Sequence, residues 1–170
     1  MDLTRFIRDV PDFPKPGILF KDITPLLRDG AALRETVHQL AARVRPLRVD
    51  AVAGIESRGF LFAATLALEL GLGLVPLRKP NKLPYRKLRE SYALEYGSDS
   101  LEMHEDAIKP GERIALVDDL LATGGTMSAA RRLVERSGGR VAACLFVIEL
   151  AFLNGREKLP GVPIEALLRY

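Results

Sequence analysis

Asp118 and Asp119 stand side by side at the end of an apolar run, Ile114 to Val117, and the small, hydroxyl-bearing stretch Ala122-Thr123-Gly124-Gly125-Thr126 follows. Adjacent carboxylates accept hydrogen bonds from vicinal hydroxyls. A glycine pair at a helix start leaves several N–H groups free to converge on an anion, and the helix dipole and two threonine hydroxyls add to that site. Acids for the sugar and a loop for the phosphate suit a sugar phosphate. The loop is not a Walker loop, because the Gly-x-x-x-x-Gly-Lys pattern and its lysine are missing, and it lacks the three-glycine dinucleotide fingerprint. The bland alternative is an acidic strand end followed by an ordinary capped helix, which needs both acids and both glycines to fall in register by chance.

Two further stretches carry charge in places where chemistry is done. Gly54-Ile55-Glu56-Ser57-Arg58-Gly59 leaves the carboxyl end of another apolar run and opens a helix, so Arg58 between a serine and a glycine suggests a second anion site; taken alone this is weak. Arg78 to Arg89 holds six basic residues and two prolines with little apolar periodicity, and reads as a mobile basic loop. A solvated charged loop or a nucleic-acid patch are its alternatives. Nucleic acid is disfavoured, because the basic residues are confined to one loop and only Tyr85 interleaves them.

Val117 to Thr126 resembles the phosphoribosyl-diphosphate binding motif of the type I phosphoribosyltransferases, and the run PDFPKPGILFKDITPLL resembles the N-terminal hood of one family in that class, the adenine phosphoribosyltransferases. The resemblance runs nearly end to end. It implies one domain over residues 1–170, an α/β fold with a central parallel sheet flanked by helices, a small hood over about 1–30 and a flexible catalytic loop over about 79–97. It also implies purine salvage: phosphoribose passes from phosphoribosyl diphosphate to adenine, giving AMP and diphosphate, with Mg2+ brought mainly by the diphosphate substrate.

Carried over position by position, Asp118 and Asp119 bind ribose, and Ala122, Thr123, Gly124, Gly125 and Thr126 bind the 5′-phosphate. Ser57, Arg58, Lys79 and Lys82 meet the diphosphate. Backbone groups around Leu19 and Lys21 meet the adenine edge, with Phe20 packed on its face. Glu95, before Tyr96-Gly97, matches the acid–base residue, and Arg58 shares the catalytic role. Read without the resemblance, Phe20 is a core aromatic and Glu95 an exposed strand glutamate. Glu56 stands where some relatives have aspartate, and Pro80-Asn81 and Tyr85 to Glu90 depart further from the pattern. Two other readings compete: the same fold acting on xanthine or guanine, and a regulator that senses phosphoribosyl diphosphate and binds nucleic acid. A chain that begins at the hood leaves no room for a helix-turn-helix, which disfavours the second.

The elements that must position these residues alternate between strand and helix. Val49 to Ile55, Leu74 to Leu77, Ile114 to Val117 and Val141 to Glu149 read as buried strands, and Ile164 to Leu168 as a last one. Residues 31 to 45 carry the stripe Leu33, Val37, Leu40, Ala41 and Val44, with His38 beside it in a structural role. Residues 3 to 10 read as a short helix ended by Pro11, and 11 to 17 as a rigid extended connector. Ser91 to Gly97 returns from the basic loop as a strand, and 99 to 105 follows as another, with acids alternating against Leu101 and Met103 and with His104 at the surface. The helix Phe60 to Leu70 is apolar almost all round, so it is central or covered by a second copy; a homodimer is the expectation.

Hydrophobic content of 48% with 28% charged residues is ordinary for a globular chain of 170 residues, which the size prior makes one domain. A net charge of +3 and a pI near 9.2 fit a polyanionic small molecule as well as nucleic acid. The single cysteine, Cys144, lies in an apolar run and is expected to be a buried thiol. No signal peptide or membrane-length run is visible, so the cytoplasm is the expected location.

Overall fold

The computed structural model describes residues 1–93 and 97–170. A single 3-10 turn at Leu3–Phe6 is capped by Asp2, whose carboxylate accepts the Thr4 N–H at 3.0 Å. The chain then extends as β1 (Arg8–Pro11), antiparallel to β2 (Leu19–Asp22), so the helix expected over 3 to 10 is one turn and a strand. So short a helix leaves most of its backbone groups without partners, whereas pairing with β2 supplies them. The proline segment after it is a closed turn and not an extended connector. Asp12 Oδ1 accepts the Gly17 N–H at 2.8 Å and Gly17 takes a φ of +86°, which folds the strand back on its neighbour.

Next come α1 (Thr24–Arg28) and α2 (Gly30–Val44), the latter N-capped by the Asp29 carboxylate on the Ala31 and Ala32 N–H groups. The remaining elements are β3 (Ala51–Ile55), α3 (Gly59–Leu70), β4 (Gly73–Leu77), β5 (Lys87–Ala93), β6 (Ser98–His104), β7 (Arg113–Leu121), α4 (Gly125–Arg136), β8 (Arg140–Glu149) and β9 (Ile164–Arg169). β4-β3-β7-β8-β9 form a five-stranded parallel sheet in that order. Both faces are covered, and alternate residues serve opposite cores: Val52, Ala115, Val117 and Leu145 pack toward α1, α2 and α3, while Ala53, Leu116, Cys144 and Phe146 pack toward α4 and the β5–β6 hairpin. Burial pushes the Cys144 thiol up to about 12.

Three expectations change. Lys87 to Arg89 begins β5, so the irregular basic segment is shorter than the predicted 78–89, because cross-strand pairing with β6 from Lys87↔His104 onward orders it. Glu102 on β6 does not alternate outward. It is buried, receives the Lys87 ammonium at 3.1 Å and the Asn81 N–H at 3.0 Å, and its backbone bridges Arg78 in both directions. His104 is half-buried, with Nε2 accepting the Tyr85 N–H. β7 does not stop at the acids; it continues through them, with Asp118 opposite Phe146 and Leu121 opposite Glu149 on β8.

α2 buries Val37, Leu40, Ala41 and Val44 of the predicted stripe, half-buries Leu33 and leaves His38 exposed. α3 buries Gly59, Phe62, Ala63, Leu66 and Ala67 but exposes Leu61 and Leu68, the latter at 82%. It is therefore not a central helix. No helix among the described residues is long and apolar enough to cross a membrane.

Candidate active site

Strand order reverses direction between β3 and β7, and an open parallel sheet has its ligand crevice at the carboxyl ends of such a pair. The last register pair is Gly54↔Val117. Beyond it β3 ends at Ile55 and turns through Glu56, Ser57 and Arg58 into α3, while β7 runs on with Asp118 and Asp119. A cleft of about 380 Å³ opens there, lined by Ile55, Glu56, Ser57, Arg58, Lys79, Asp118, Asp119 and Thr126. The groove of about 580 Å³ between α2 and α3 is larger but holds none of the strand-end acids.

Arg58 donates from Nε to Asp119 Oδ2, and its guanidinium carbon lies 5.7 Å from the Phe20 ring centroid, which brings β2 of the hood over the cleft. Phe20 in turn meets Phe13 edge to face at 5.1 Å. The Lys21 side chain points elsewhere, onto Asp9 at 2.6 Å and over the Tyr170 ring at 3.9 Å, so only its backbone is left to face a ligand. Leu19 is exposed. The Glu56–Ser57 peptide is cis.

The Ala122 to Thr126 loop wraps a separate recess of about 70 Å³ that Asp118 and Phe146 also line. Gly124 sits at the N-terminal end of α4 with φ +80°, and no side chain caps that end among the described residues, which leaves its N–H groups toward the recess. A side chain at Gly124 would collide with the Gly155 carbonyl, and one at Gly155 with the Ala122 carbonyl. Two glycines thus let a 3-10 turn, Gly155–Lys158, back the loop at van der Waals contact. That turn is held by Arg156, whose Nε and Nη2 both reach the buried Glu149 carboxylate at 2.7 Å.

Lys79 reaches the cleft from the opposite side. Its N–H donates to Glu56 Oε2 at 2.8 Å, and Glu56 also takes the Arg78 guanidinium at 3.1 and 3.2 Å, which holds the Glu56 carboxyl below its ordinary value. Lys82 is exposed and outside the cleft lining, although its carbonyl accepts from Arg78 at 3.3 Å. Glu95 lies outside the described residues. Ser57, Arg58, Lys79, Asp118, Asp119 and Thr126, each singled out in the sequence, line one cleft in the structure. Sequence reading missed Glu149, Gly155, Arg156, Tyr92 and Asp99, which pair across turns and strands at spacings that form no periodic pattern or contiguous motif.

Asp118 Oδ1 accepts the Asp119 N–H at 2.9 Å. Burial, then the neighbouring Asp119 charge, raise the Asp118 carboxyl well above the usual aspartate value, and Arg58 only partly opposes them. With the folded pKa above the unfolded one, the carboxyl's favourable contribution is complete below the ordinary carboxylate range. It is lost as pH rises through the folded pKa. Asp118→Asn removes that loss, so the ligand-free variant should melt above the parent at pH 8, with the gain shrinking toward pH 4. A lower melting temperature for the variant at pH 8, read by calorimetry, would overturn this account of the acid pair.

The family described as the phosphoribosyl transferase domain matches residues 22–159. The adenine phosphoribosyltransferase of Desulfitobacterium hafniense is 55% identical over all of this chain and 98% of its own length. Among solved structures, adenine phosphoribosyltransferase from Thermoanaerobacter pseudethanolicus superposes with a TM-score of 0.97 at 51% identity, covering 99% of this chain and 98% of its own. The Saccharomyces cerevisiae enzyme, complexed with an imino-altritol bisphosphate and adenine, does so at 0.93 and 41% identity, covering 98% and 97%. With a type I sheet, paired strand-end acids, an anion loop and similarity of this extent, the chain belongs to the adenine phosphoribosyltransferase family.

Proposed function

We propose that this chain transfers phosphoribose from phosphoribosyl diphosphate to N9 of adenine, releasing AMP and diphosphate in purine salvage. The observation that carries the reading is one cleft in which paired acids, Arg58 and Lys79 meet beneath a hood aromatic, with Asp118 and Thr126 shared with the neighbouring recess of the anion loop. The yeast relative's complex with adenine supports the same base. A cytoplasmic setting suits the reaction.

Ala122 to Thr126 hold the 5′-phosphate through the free N–H groups of α4 and the threonine hydroxyls. Asp118 and Asp119 accept from the ribose hydroxyls. Ser57, Arg58 and Lys79 take the diphosphate, and Lys82 joins them only if the segment after Pro80 rearranges. The bond from C1 to the diphosphate oxygen lengthens first, so the sugar gains oxocarbenium character and negative charge gathers on the leaving group, where Arg58 and Lys79 meet it. N9 then bonds to C1, and Glu95 accepts the proton that N9 loses.

No group of three or more His, Cys, Asp or Glu among the described residues forms a cage for a metal. That donor set fits a magnesium ion carried on substrate oxygens, with Asp118 and Asp119 as the nearest carboxylates. When bound, magnesium supplies further neutralisation of the departing diphosphate.

Adenine is read by backbone donors and acceptors near Leu19 and Lys21, and a carbonyl in place of its amino group leaves buried partners unmatched. Discrimination on the order of 10⁴-fold is within reach of such a site. Incubation with phosphoribosyl diphosphate, magnesium and each base should therefore give nucleotide efficiently from adenine alone among the common purines. Better turnover of guanine would overturn the hood assignment. Glu95→Gln keeps shape and removes charge, and it should lower single-turnover rate by about 10²–10⁴-fold with little change in binding of either substrate. A near-normal rate would exclude proton transfer by Glu95. Exposed Leu61 and Leu68 on α3 and Leu74 on β4 suit burial against a second copy, so the chain is a homodimer. Sedimentation at micromolar concentration should give close to twice the 18.7 kDa chain mass, and a clean monomer would refute the dimer.

A further inference from the structure

Lys79 is held at both ends. Its main chain is fixed by Glu56, and its ammonium donates to Asp99 and, at 2.6 Å, to the Tyr92 hydroxyl. Tyr92 OH donates onward to Asp99 Oδ2 at 3.0 Å, closing a triangle. Tyr92 and Asp99 are direct cross-strand partners on β5 and β6, so their side chains rise from the same face of the hairpin. The Tyr92 ring is 93% buried and lies 5.3 Å from the Lys79 ammonium, against the ring face. Asp99 Oδ1 is oriented in turn by the Ser100 N–H at 2.7 Å. None of these partners of the ammonium lines the cleft that Lys79 itself lines.

We propose that Asp99 and Tyr92 are positioning residues, which aim the Lys79 ammonium at the diphosphate of phosphoribosyl diphosphate. An ammonium has three N–H donors and no acceptor. Asp99 and Tyr92 take two, and the third is left for an oxygen in the cleft. Burial works against the charge on both Lys79 and Asp99, yet their mutual hydrogen bonds outweigh it, raising the lysine and lowering the acid, so the pair stays ionised at neutral pH. Their side chains remain 35% and 30% exposed, and an ion pair that open to water adds little stability. Its consequence is geometric. A free lysine would sample many rotamers around a flexible four-carbon stem, whereas this one meets the ligand with its direction already set.

The proposal rests on the reading of Lys79 as a diphosphate contact, and one double-mutant cycle tests the two separately. Steady-state kinetics are measured for Lys79→Met, Asp99→Asn, Tyr92→Phe and the Lys79→Met/Asp99→Asn double variant, varying each substrate in turn. Asp99→Asn should raise KM for phosphoribosyl diphosphate about tenfold, and Tyr92→Phe about threefold, with KM for adenine within about twofold of the parent. The double variant should be no worse than Lys79→Met alone. Tyr92→Phe keeps the ring packing and carries the test if Asp99→Asn does not fold. If Lys79→Met leaves KM for phosphoribosyl diphosphate unchanged, the diphosphate role of Lys79 fails, and the proposal with it. If Lys79→Met raises that KM but the Asp99 and Tyr92 variants do not, or if the losses multiply in the double variant, only the positioning role fails. A lower KM in Asp99→Asn would make Asp99 a competitor of the ligand and overturn the proposal.

Discussion

The site depends on one strand outrunning its neighbour. β3 and β7 run in register as far as Gly54 and Val117, after which β3 ends at Ile55 while β7 continues to Leu121 with β8 alone beside it. Asp118 and Asp119 are therefore fixed by a backbone ladder on one side and open on the other. α3 begins in the space that β3 vacates, and it packs so tightly against β7 that a Cβ on Gly59 would lie 2.9 Å from both Asp118 Oδ1 and the Val117 carbonyl. That approach desolvates Asp118. A helix N-terminus favours an anion by a fraction of a kcal/mol to about 1 kcal/mol, and here burial and the second acid outweigh it.

The other walls are attached to this edge by ion pairs that reach across the chain. Glu149, at the end of β8, grips Arg156 and so holds the Gly155 turn against the Ala122 to Thr126 loop. Glu90 on β5 receives Arg132 at 2.9 Å and also Arg136, fastening the hairpin to the helix whose first residues form that loop. Glu56 and Glu102 hold Arg78 and Asn81 at the base of the basic segment. Each acid sits below a third exposed and meets two or more donors, so none is a solitary surface pair. Together they fasten the walls of the cleft and of the neighbouring recess to the sheet.

Much of this was legible in the sequence because its signals are local. Most of the parallel strands are apolar runs, α2 carries its stripe at helical spacing, and Val117 to Thr126 is a contiguous motif, so the sheet, the strand-end acids and the glycine loop after them could be read directly. β1 could not. Its residues Arg8 to Pro11 become a strand only because Asp12 closes a turn onto Gly17 and brings β2 alongside. Glu102 could not either, since an acid between Leu101 and Met103 reads as solvent-facing until Lys87 and Asn81, distant in sequence, arrive to satisfy it.

The same logic explains why the charges at this site fall into two kinds. Glu56, Glu90, Asp99 and Glu149 are each met by a cation or by N–H donors, and each has a carboxyl held below its ordinary value. Asp118 is the opposite: half-buried, desolvated, beside a like charge, and raised. That arrangement is unfavourable, and the Asp119 N–H and the Arg58 charge relieve it only in part, since the Arg58 Nε is engaged by Asp119. The ribose role proposed for Asp118 suits this environment, because a hydroxyl donor or a substrate-borne cation would offset the like charge beside it. Carboxylates met by cations thus fasten the architecture, and the one whose pKa is raised stands at the strand edge, lining the cleft.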